Sequence, residues 1–339
     1  MQDFSISSHF VRAVIKHAAD AGLDSDKLLL RAGIAPRLLS EPGSRVTLEQ
    51  FALIQSVTMR GMNDEYLGYG RAPINLGAWA AMCHWTLQAK NLSQALKRFC
   101  QFYGMINGGP RIEMQTLNNR LHVRFLSPYE ITELEPYAYE LFMFSCYRLA
   151  NWLTETKLPL DYASFGFAEP IYSREYRGLF LGSKMLFDAP LSELVLPRQL
   201  LEMPVKNSPQ KLTEYLRRPT LNILRAQYNQ QSWEARVRDL LSRNLSALPT
   251  FEELAGELGI HPKKLHRCLE EEGVAYTELK SQLRRDIAIH SLLESDDTIE
   301  TIAYKVGYSE SCTFVRAFRS WTGVTPHNYR RQGRRGLSH

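Results

Sequence analysis

The sequence is poor in the features that mark secretion, membrane insertion or catalysis. Its cysteines, Cys83, Cys100, Cys146, Cys268 and Cys312, are scattered and odd in number. They form no Cys-x2-Cys pair and no Cys/His cluster, which excludes a zinc ribbon and a disulfide-framed secreted domain. No run approaches the ~20 apolar residues of a membrane helix: the most apolar stretch, Leu141–Leu153, is short and interrupted by Arg148. The opening Met1-Gln-Asp-Phe-Ser-Ile has no basic segment leading into an apolar core, so the expectation is a cytoplasmic protein with no signal peptide and no membrane partner. GxSxG, HExxH, GxGxxG and the phosphate-loop GKS/GKT are all missing. Cys83 lies in Ala-Met-Cys-His-Trp without the flanking glycines that a nucleophile elbow needs. No enzyme, metal or cofactor is expected, and His84 and His122 have no partner at metal-ligand spacing. A large charge excess is also lacking. The net charge is +5, and residues 236–339 hold 16 Lys+Arg against 14 Asp+Glu, so composition alone does not point to nucleic acid.

What is present is a chain of 339 residues with 44% hydrophobic and 23% charged residues, an ordinary globular composition of two-domain length. Its C-terminal hundred residues contain an internal echo. TFEELAGELGIHPKKLHRCLEEEG (250–273) and TIETIAYKVGYSESCTFVRAFRSWTG (298–323) each begin with apolar residues at helical spacing: Phe251, Leu254, Ala255, Leu258, then Ile299, Ile302, Ala303, Val306. Thr250 with Glu253 forms a capping box, and Asp297 with Glu300 offers a second. Each first helix stops at a glycine four residues after an alanine, Ala255/Gly259 and Ala303/Gly307. Glycine suits a tight left-handed stop, and alanine admits a close second helix. Those second helices bury Leu265 and Leu269, and Phe314 and Phe318. Pro262 fits a first turn and Ser309 an N-cap.

These are two helix-turn-helix units. Tyr276, Leu279, Leu283, Ile287 and His290 step at helical intervals and predict one long connecting helix over Tyr276–Leu293. Such a strut fixes the spacing of two recognition helices, and one DNA turn, ~34 Å, lets both enter successive major grooves.

The N-terminal residues differ in character. Helices are expected at Ser5–Ala21, Thr47–Arg60, within Gly77–Trp85 and Ser93–Ile106, and over Glu135–Thr156. Arg111–Leu117 and Arg120–Leu126 alternate about Asn118-Asn119, a hairpin signal. Tyr162–Phe167, Lys184–Phe187 and Glu193–Leu196 read as strands. The fold class expected is an α+β N-terminal domain followed by an all-α domain with two helix-turn-helix units joined by a long helix. The boundaries expected are 1–205, a linker over 206–235 punctuated by Pro209 and Pro219, a helical domain over 236–331, and a frayed basic tail over 332–339 that begins from the Arg330–Arg335 run. An aromatic and polar inventory fit for a small-molecule pocket comprises Trp79, His84, Trp85, Tyr103, Tyr137, Tyr147 and Trp152.

The stretch IAYKVGYSESCTFVRAFRSWTGVTPHNYRR (302–331) strongly resembles the signature of the AraC/XylS transcription regulators. RVRDLLSRNLSALPTFEELAGELGIHPKKLHRCLEEEGVAYTELKSQLRRDIA (236–288) fits the ornithine-utilisation-regulator-like subgroup. Leu92-Ser-Gln-Ala-Leu96, Phe165–Pro170 and Lys184-Met-Leu-Phe-Asp188 resemble that subgroup's arabinose-binding-like sensor domain. The resemblance implies a ligand-responsive homodimer that binds double-stranded promoter DNA and meets RNA polymerase, with activation as the expected sense. By the family's pattern Lys263, His266 and Arg267 face bases in the first unit, and Ser311, Cys312, Val315 and Arg316 in the second. Lysine or arginine can grip guanine O6/N7, whereas Val315 can meet only a thymine methyl or a sugar. Thr313 and Arg319 fall to phosphate. The glutamates 270–272 are expected to face away from DNA. His261-Pro-Lys-Lys264 departs from the family's usual small polar residue with Arg or Trp. The α+β pattern departs from an all-β jelly roll, so a sugar ligand does not transfer with the domain label. The alternative is a constitutive DNA-binding regulator whose N-terminal domain only dimerises. A small molecule that alters DNA affinity separates the two.

Overall fold

A computed structural model describes residues 5–40, 44–127, 134–225, 233–243, 249–271 and 275–335. In chain order the elements are β1 (Ser5–Ser7), α1 (Ser8–Ile15), α2 (Ser25–Arg31), β2 (Arg45–Thr47), α3 (Leu48–Met62), α4 (Ala78–Leu87), α5 (Leu92–Gly104), β3 (Arg111–Leu117), β4 (Arg120–Leu126), α6 (Pro136–Thr154), β5 (Tyr162–Ser164), α7 (Arg174–Leu179), β6 (Met185–Leu186) and β7 (Ser192–Pro197). There follow α8 (Pro209–Arg217), α9 (Pro219–Arg225), α10 (Trp233–Arg243), α11 (Phe251–Glu257), α12 (Pro262–Glu271), α13 (Tyr276–Glu294), α14 (Ile299–Lys305), α15 (Ser311–Thr322) and α16 (Pro326–Arg335). The chain forms two compact units: a terminal unit of Met1–Arg12, Asp26–Ile54 and Asn229–His339, and a central unit of Ala13–Ser25 and Gln55–Tyr228.

The central unit carries a five-stranded sheet in the order β3-β4-β7-β5-β6, antiparallel except for β5 beside β6. The β3–β4 hairpin turns where the sequence marks it. Asn118 and Asn119 take φ of 50° and 59°, the double left-handed geometry whose twist matches paired strands. Leu121, Val123 and Phe125 alternate into the core, which α5 and α6 complete with Phe99, Phe142, Met143 and Cys146. The opposite face of the sheet is polar but tied together. Glu193 on β7 meets His122 Nδ1 at 3.1 Å, accepts from Arg124 Nε at 3.2 Å and accepts from the Tyr162 hydroxyl at 3.2 Å. His122 is therefore a cross-strand partner of a carboxylate. The first expected helix, Ser5–Ala21, is shorter: its opening residues are β1 and it ends at Ile15. The expected linker carries α8 and α9, and Gln227–Gln231 lies outside the described residues.

In the terminal unit, residues from near the N-terminus pack on the helical C-terminal region. β1 pairs antiparallel with β2, Ile6 opposite Val46. Ser5 donates its hydroxyl to Asp286 Oδ1 on α13 at 2.7 Å, and Arg45 donates to Ser5 Oγ and Ser5 O, each at 2.8 Å. The Tyr329 hydroxyl on α16 donates to the Arg45 carbonyl. The expected stripe on α13 is correspondingly altered. Leu279 and Leu283 are buried as the spacing requires, but beyond them Asp286, Ile289 and Leu292 turn inward while His290 is exposed. A buried aspartate breaks the apolar period because Ser5, far away in the chain, donates to it, together with the neighbouring Arg285 Nε at 2.9 Å. α16 runs through Arg335, so the basic run from Arg330 is helical rather than frayed. Arg330 donates to the carbonyls of Leu292 (3.2 Å) and Asp297 (2.5 Å), tying α16 to the end of α13.

Candidate nucleic-acid interface

α10 to α12 and the first half of α13 share one core, built on Val237, Leu241, Leu254, Ala255, Leu265, Leu269, Leu279 and Leu283. α14 to α16 and the second half of α13 bury Ile302, Ala303, Val306, Phe314, Phe318 and Tyr329. The two turns are copies at the level of single hydrogen bonds. In the first, Ile260 N–H donates to Ala255 O at 3.0 Å and Gly259 N–H to Gly256 O at 3.0 Å. In the second, Tyr308 N–H donates to Ala303 O and Gly307 N–H to Tyr304 O, both at 2.9 Å. This is the glycine-terminated double bond that closes a helix, with Gly259 at φ 69° and Gly307 at φ 80°. Each turn is also held from outside. Arg236 of α10 donates to Leu258 O at 3.4 Å, and Arg284 of α13 donates to Gly307 O at 3.0 Å with its guanidinium 4.8 Å from the Tyr308 ring centre.

The caps are one match and two corrections. Thr250 and Glu253 form the full capping box, with Thr250 N–H donating to Glu253 Oε2 at 2.7 Å and Glu253 N–H to Thr250 Oγ1 at 3.2 Å. The Thr250 N–H first, and then the Thr250 hydroxyl, which donates to Glu253 Oε2 at 2.9 Å, hold the Glu253 carboxyl below its ordinary range. Thr250→Ala is expected to lower stability by about 1 kcal/mol, measurable as a drop in denaturation midpoint. An unchanged midpoint would contradict the cap. The cap of α14 is Thr298, which accepts from Thr301 N–H at 3.0 Å. Asp297 instead takes Lys305 Nζ at 2.6 Å and Ser295 Oγ at 2.8 Å. α15 starts one residue later than Ser309 would set it, with Glu310 at its N-cap and no side-chain cap bond.

Both second helices turn an apolar face inward and a polar face to solvent. On α12, Leu265 and Leu269 are buried while Lys263, His266 and Arg267 are exposed. On α15, Phe314 and Phe318 are buried, Ser311, Cys312, Thr313, Arg316 and Arg319 are exposed, and Val315 is half-buried. Glu270, expected to point elsewhere, stands one turn from His266 and reaches its Nδ1 at 3.3 Å. Helical neighbours at i,i+4 share a face, so a carboxylate sits on the strip with the basic residues.

The aromatic inventory is spread over the central unit. Tyr103 and Trp85 pack around Phe102, with ring centres 5.5 and 6.4 Å away. Trp152 lies 4.8 Å from Tyr215, and Tyr147 stacks on Phe180 and donates to Leu158 O at 2.8 Å. Trp79 is half-buried and its backbone N–H donates to Glu65 at 2.7 Å, while His84 is exposed. Tyr137 packs 5.3 Å from Tyr69 and lies near Glu140, a buried carboxyl that sequence reasoning missed. The available signal was a lone glutamate inside the apolar run Tyr137-Ala-Tyr-Glu-Leu-Phe-Met-Phe. Burial pushes the Cys83 thiol well above its ordinary range, the opposite of an activated nucleophile. Among the described residues there is no group of three His, Cys, Asp or Glu side chains fit for a metal, and no helix is long and apolar enough to cross a membrane.

Two family models match the chain. Residues 22–205 match the N-terminal arabinose-binding domain of AraC transcription regulators, and residues 254–332 match a helix-turn-helix domain. The paired turns and these matches define a DNA-binding transcription regulator with an arabinose-binding-like N-terminal domain. The chain belongs to the AraC family. It is 24% identical to the ornithine utilization regulator of Pseudomonas aeruginosa over 322 residues, 95% of each chain. It is 33% identical over 150 residues to an uncharacterised helix-turn-helix regulator of Mycobacterium tuberculosis, covering 44% of this chain and 40% of that one. The crystal structure of the transcriptional regulator CdpR from Pseudomonas aeruginosa aligns over 74% of this chain and 81% of its own, with 22% identity and a TM-score of 0.29.

Proposed function

We propose that the chain is a sequence-specific regulator whose DNA affinity is set by a small-molecule effector bound within residues 1–205, with reading by residues 236–331. The observation that supports it is the repeated exposed strip, Lys263, His266 and Arg267 on α12, and Ser311, Cys312 and Arg316 on α15 with Val315 half-buried beside them, each backed by a buried apolar face. In this reading α12 is the richer base reader and Thr313 and Arg319 fix the register on phosphate. The regulator works as a homodimer on promoter DNA in the cytoplasm, with RNA polymerase as the downstream partner and activation as its sense.

The test is quantitative binding to a selected operator and to random DNA. Arg267→Ala is expected to lose ~1–3 kcal/mol on the operator and little on random DNA, relaxing the sequence preference. Arg319→Ala is expected to weaken both alike and to lower the salt slope by about one. Equal losses on both DNAs for Arg267→Ala would sink the base-reading role. Operator affinity that no metabolite alters, in a dimeric full-length chain, would favour a constitutive regulator.

A further inference from the structure

Glu140 is the central unit's most unusual polar group. It projects from the second turn of α6, is 3% exposed, and has only half its carboxyl bonded. Oε1 accepts from the hydroxyls of Tyr172, at 3.1 Å, and Tyr176. Oε2 has no hydrogen-bond partner among the described residues. Neither protonation state relieves this. An ionised Oε2 is a desolvated charge without a donor, and a protonated one is a buried O–H without an acceptor. A native buried polar atom left in this way has a missing partner.

The surroundings say what that partner is. Tyr69 and Tyr137 both feel the Glu140 charge and pack 5.3 Å apart, and Tyr172 and Tyr176 lie 6.0 Å apart. Four tyrosines thus lie near one carboxyl. A carboxylate oxygen without a donor attracts a charged N–H group, so it selects a cation that carries one. Of the two hydroxyl donors, Tyr176 is fully buried whereas Tyr172 is half-exposed, which places Tyr172 between the carboxyl and solvent.

We infer that Glu140 and the surrounding tyrosines Tyr69, Tyr137, Tyr172 and Tyr176 form the effector site, and that its ligand class is a small organic cation with an N–H donor, such as an alkylammonium. The inference rests on the effector-controlled reading above and gives that reading its chemistry. Binding is proton-linked. Burial raises the Glu140 carboxyl to about 7, opposed by the hydroxyls of Tyr176 and Tyr172. The groups facing it are those four tyrosines, all pushed above their ordinary values by burial and so neutral near pH 7, with Glu135 near Tyr69. Below about 7 a cation must displace a proton, and affinity falls tenfold per pH unit.

The experiment is calorimetric titration of the full chain with n-butylamine and 1,4-diaminobutane, against 1-butanol and butyrate, at pH 8, 7 and 6. The amines keep their charge throughout, since a lysine-like ammonium titrates near ~10.4. The expected result is binding of the amines alone, about tenfold weaker at pH 6 than at pH 8. Glu140→Gln should lose at least tenfold in amine affinity, and Tyr172→Phe several-fold. Should Glu140→Gln not fold, Tyr172→Phe and the wild-type pH profile decide. Amine binding unchanged in Glu140→Gln, no amine binding by the wild type, or preference for butanol or butyrate would each overturn the assignment. Preference for butanol or butyrate would leave effector control standing, and loss of operator binding by the wild-type chain would instead strike the proposed function.

Discussion

Phe318→Ala is expected to destabilise the second helix-turn-helix unit by about 3–5 kcal/mol and to abolish its contribution to DNA binding. Phe318 is completely buried, with ring centres 5.7 Å from Phe314, 5.5 Å from Tyr329 and 6.4 Å from Trp321. Its ring therefore holds α15 to α16, and Thr322 next to it is spent on two carbonyls, Phe318 O and Val324 O, at 2.8 and 3.1 Å. Truncation leaves a cavity that two short helices and a turn cannot fill without moving the recognition helix. A loss of this size is a large fraction of a domain's whole stability of ~5–15 kcal/mol. The neighbouring substitution, Arg319→Ala, removes an exposed side chain and is expected to stay within ~0.5 kcal/mol while weakening DNA binding. Urea denaturation of both variants gives the contrast: a large fall in midpoint for one, almost none for the other. If the two midpoints coincide, the inward face of α15 is wrongly assigned.

That contrast uses a pattern legible in the sequence, because a helix face depends on residues three and four apart. The Ala-x3-Gly echo translated into identical turn hydrogen bonds for the same reason, and Asn118-Asn119 set the β3–β4 hairpin locally. What was not legible depends on distant partners. The neighbouring Arg285 pairs with Asp286, but its burial depends on Ser5, which donates to it and is oriented by Arg45. His290 looked like a stripe position only while that face of α13 lacked its cover. At the α14 cap, Asp297 and Thr298 are both good N-cap residues, and the bond from Lys305 decides that Asp297 turns away. Glu140 was hidden for a related reason. Its tyrosines come from three separate stretches of the chain, and the sequence inventory held only Tyr137 among them.

The same carboxyl should make the central unit less stable as pH rises. In the unfolded chain a glutamate titrates near ~4.3, whereas burial raises Glu140 to about 7 in the folded unit. Between those values the folded state holds a proton that the unfolded state has released, so stability is full below the unfolded value and is lost as pH climbs toward 7. At 1.36 kcal/mol per pH unit the loss is roughly 4 kcal/mol, complete above about pH 7. His9, in the terminal unit, acts in the opposite direction. Burial, with help from Arg12, lowers it to about 4, so its contribution is lost as pH falls below its unfolded ~6.5. Comparing the wild type with Glu140→Gln at each pH cancels His9 and every other common group. The amide keeps an oxygen for the Tyr172 and Tyr176 hydroxyls and carries no charge to desolvate. Its advantage should therefore be about 1 kcal/mol at pH 5 and grow to roughly 4 kcal/mol at pH 8. Denaturation midpoints across that range measure it directly, and parallel profiles for the two proteins would show that the Glu140 carboxyl is not held neutral. The trend also explains how a cation could act as a signal. Near pH 7 the site is poised between a buried neutral acid and a destabilising charge, and an ammonium ion paired to Oε2 favours the ionised, ligand-bound form while tightening the unit around it.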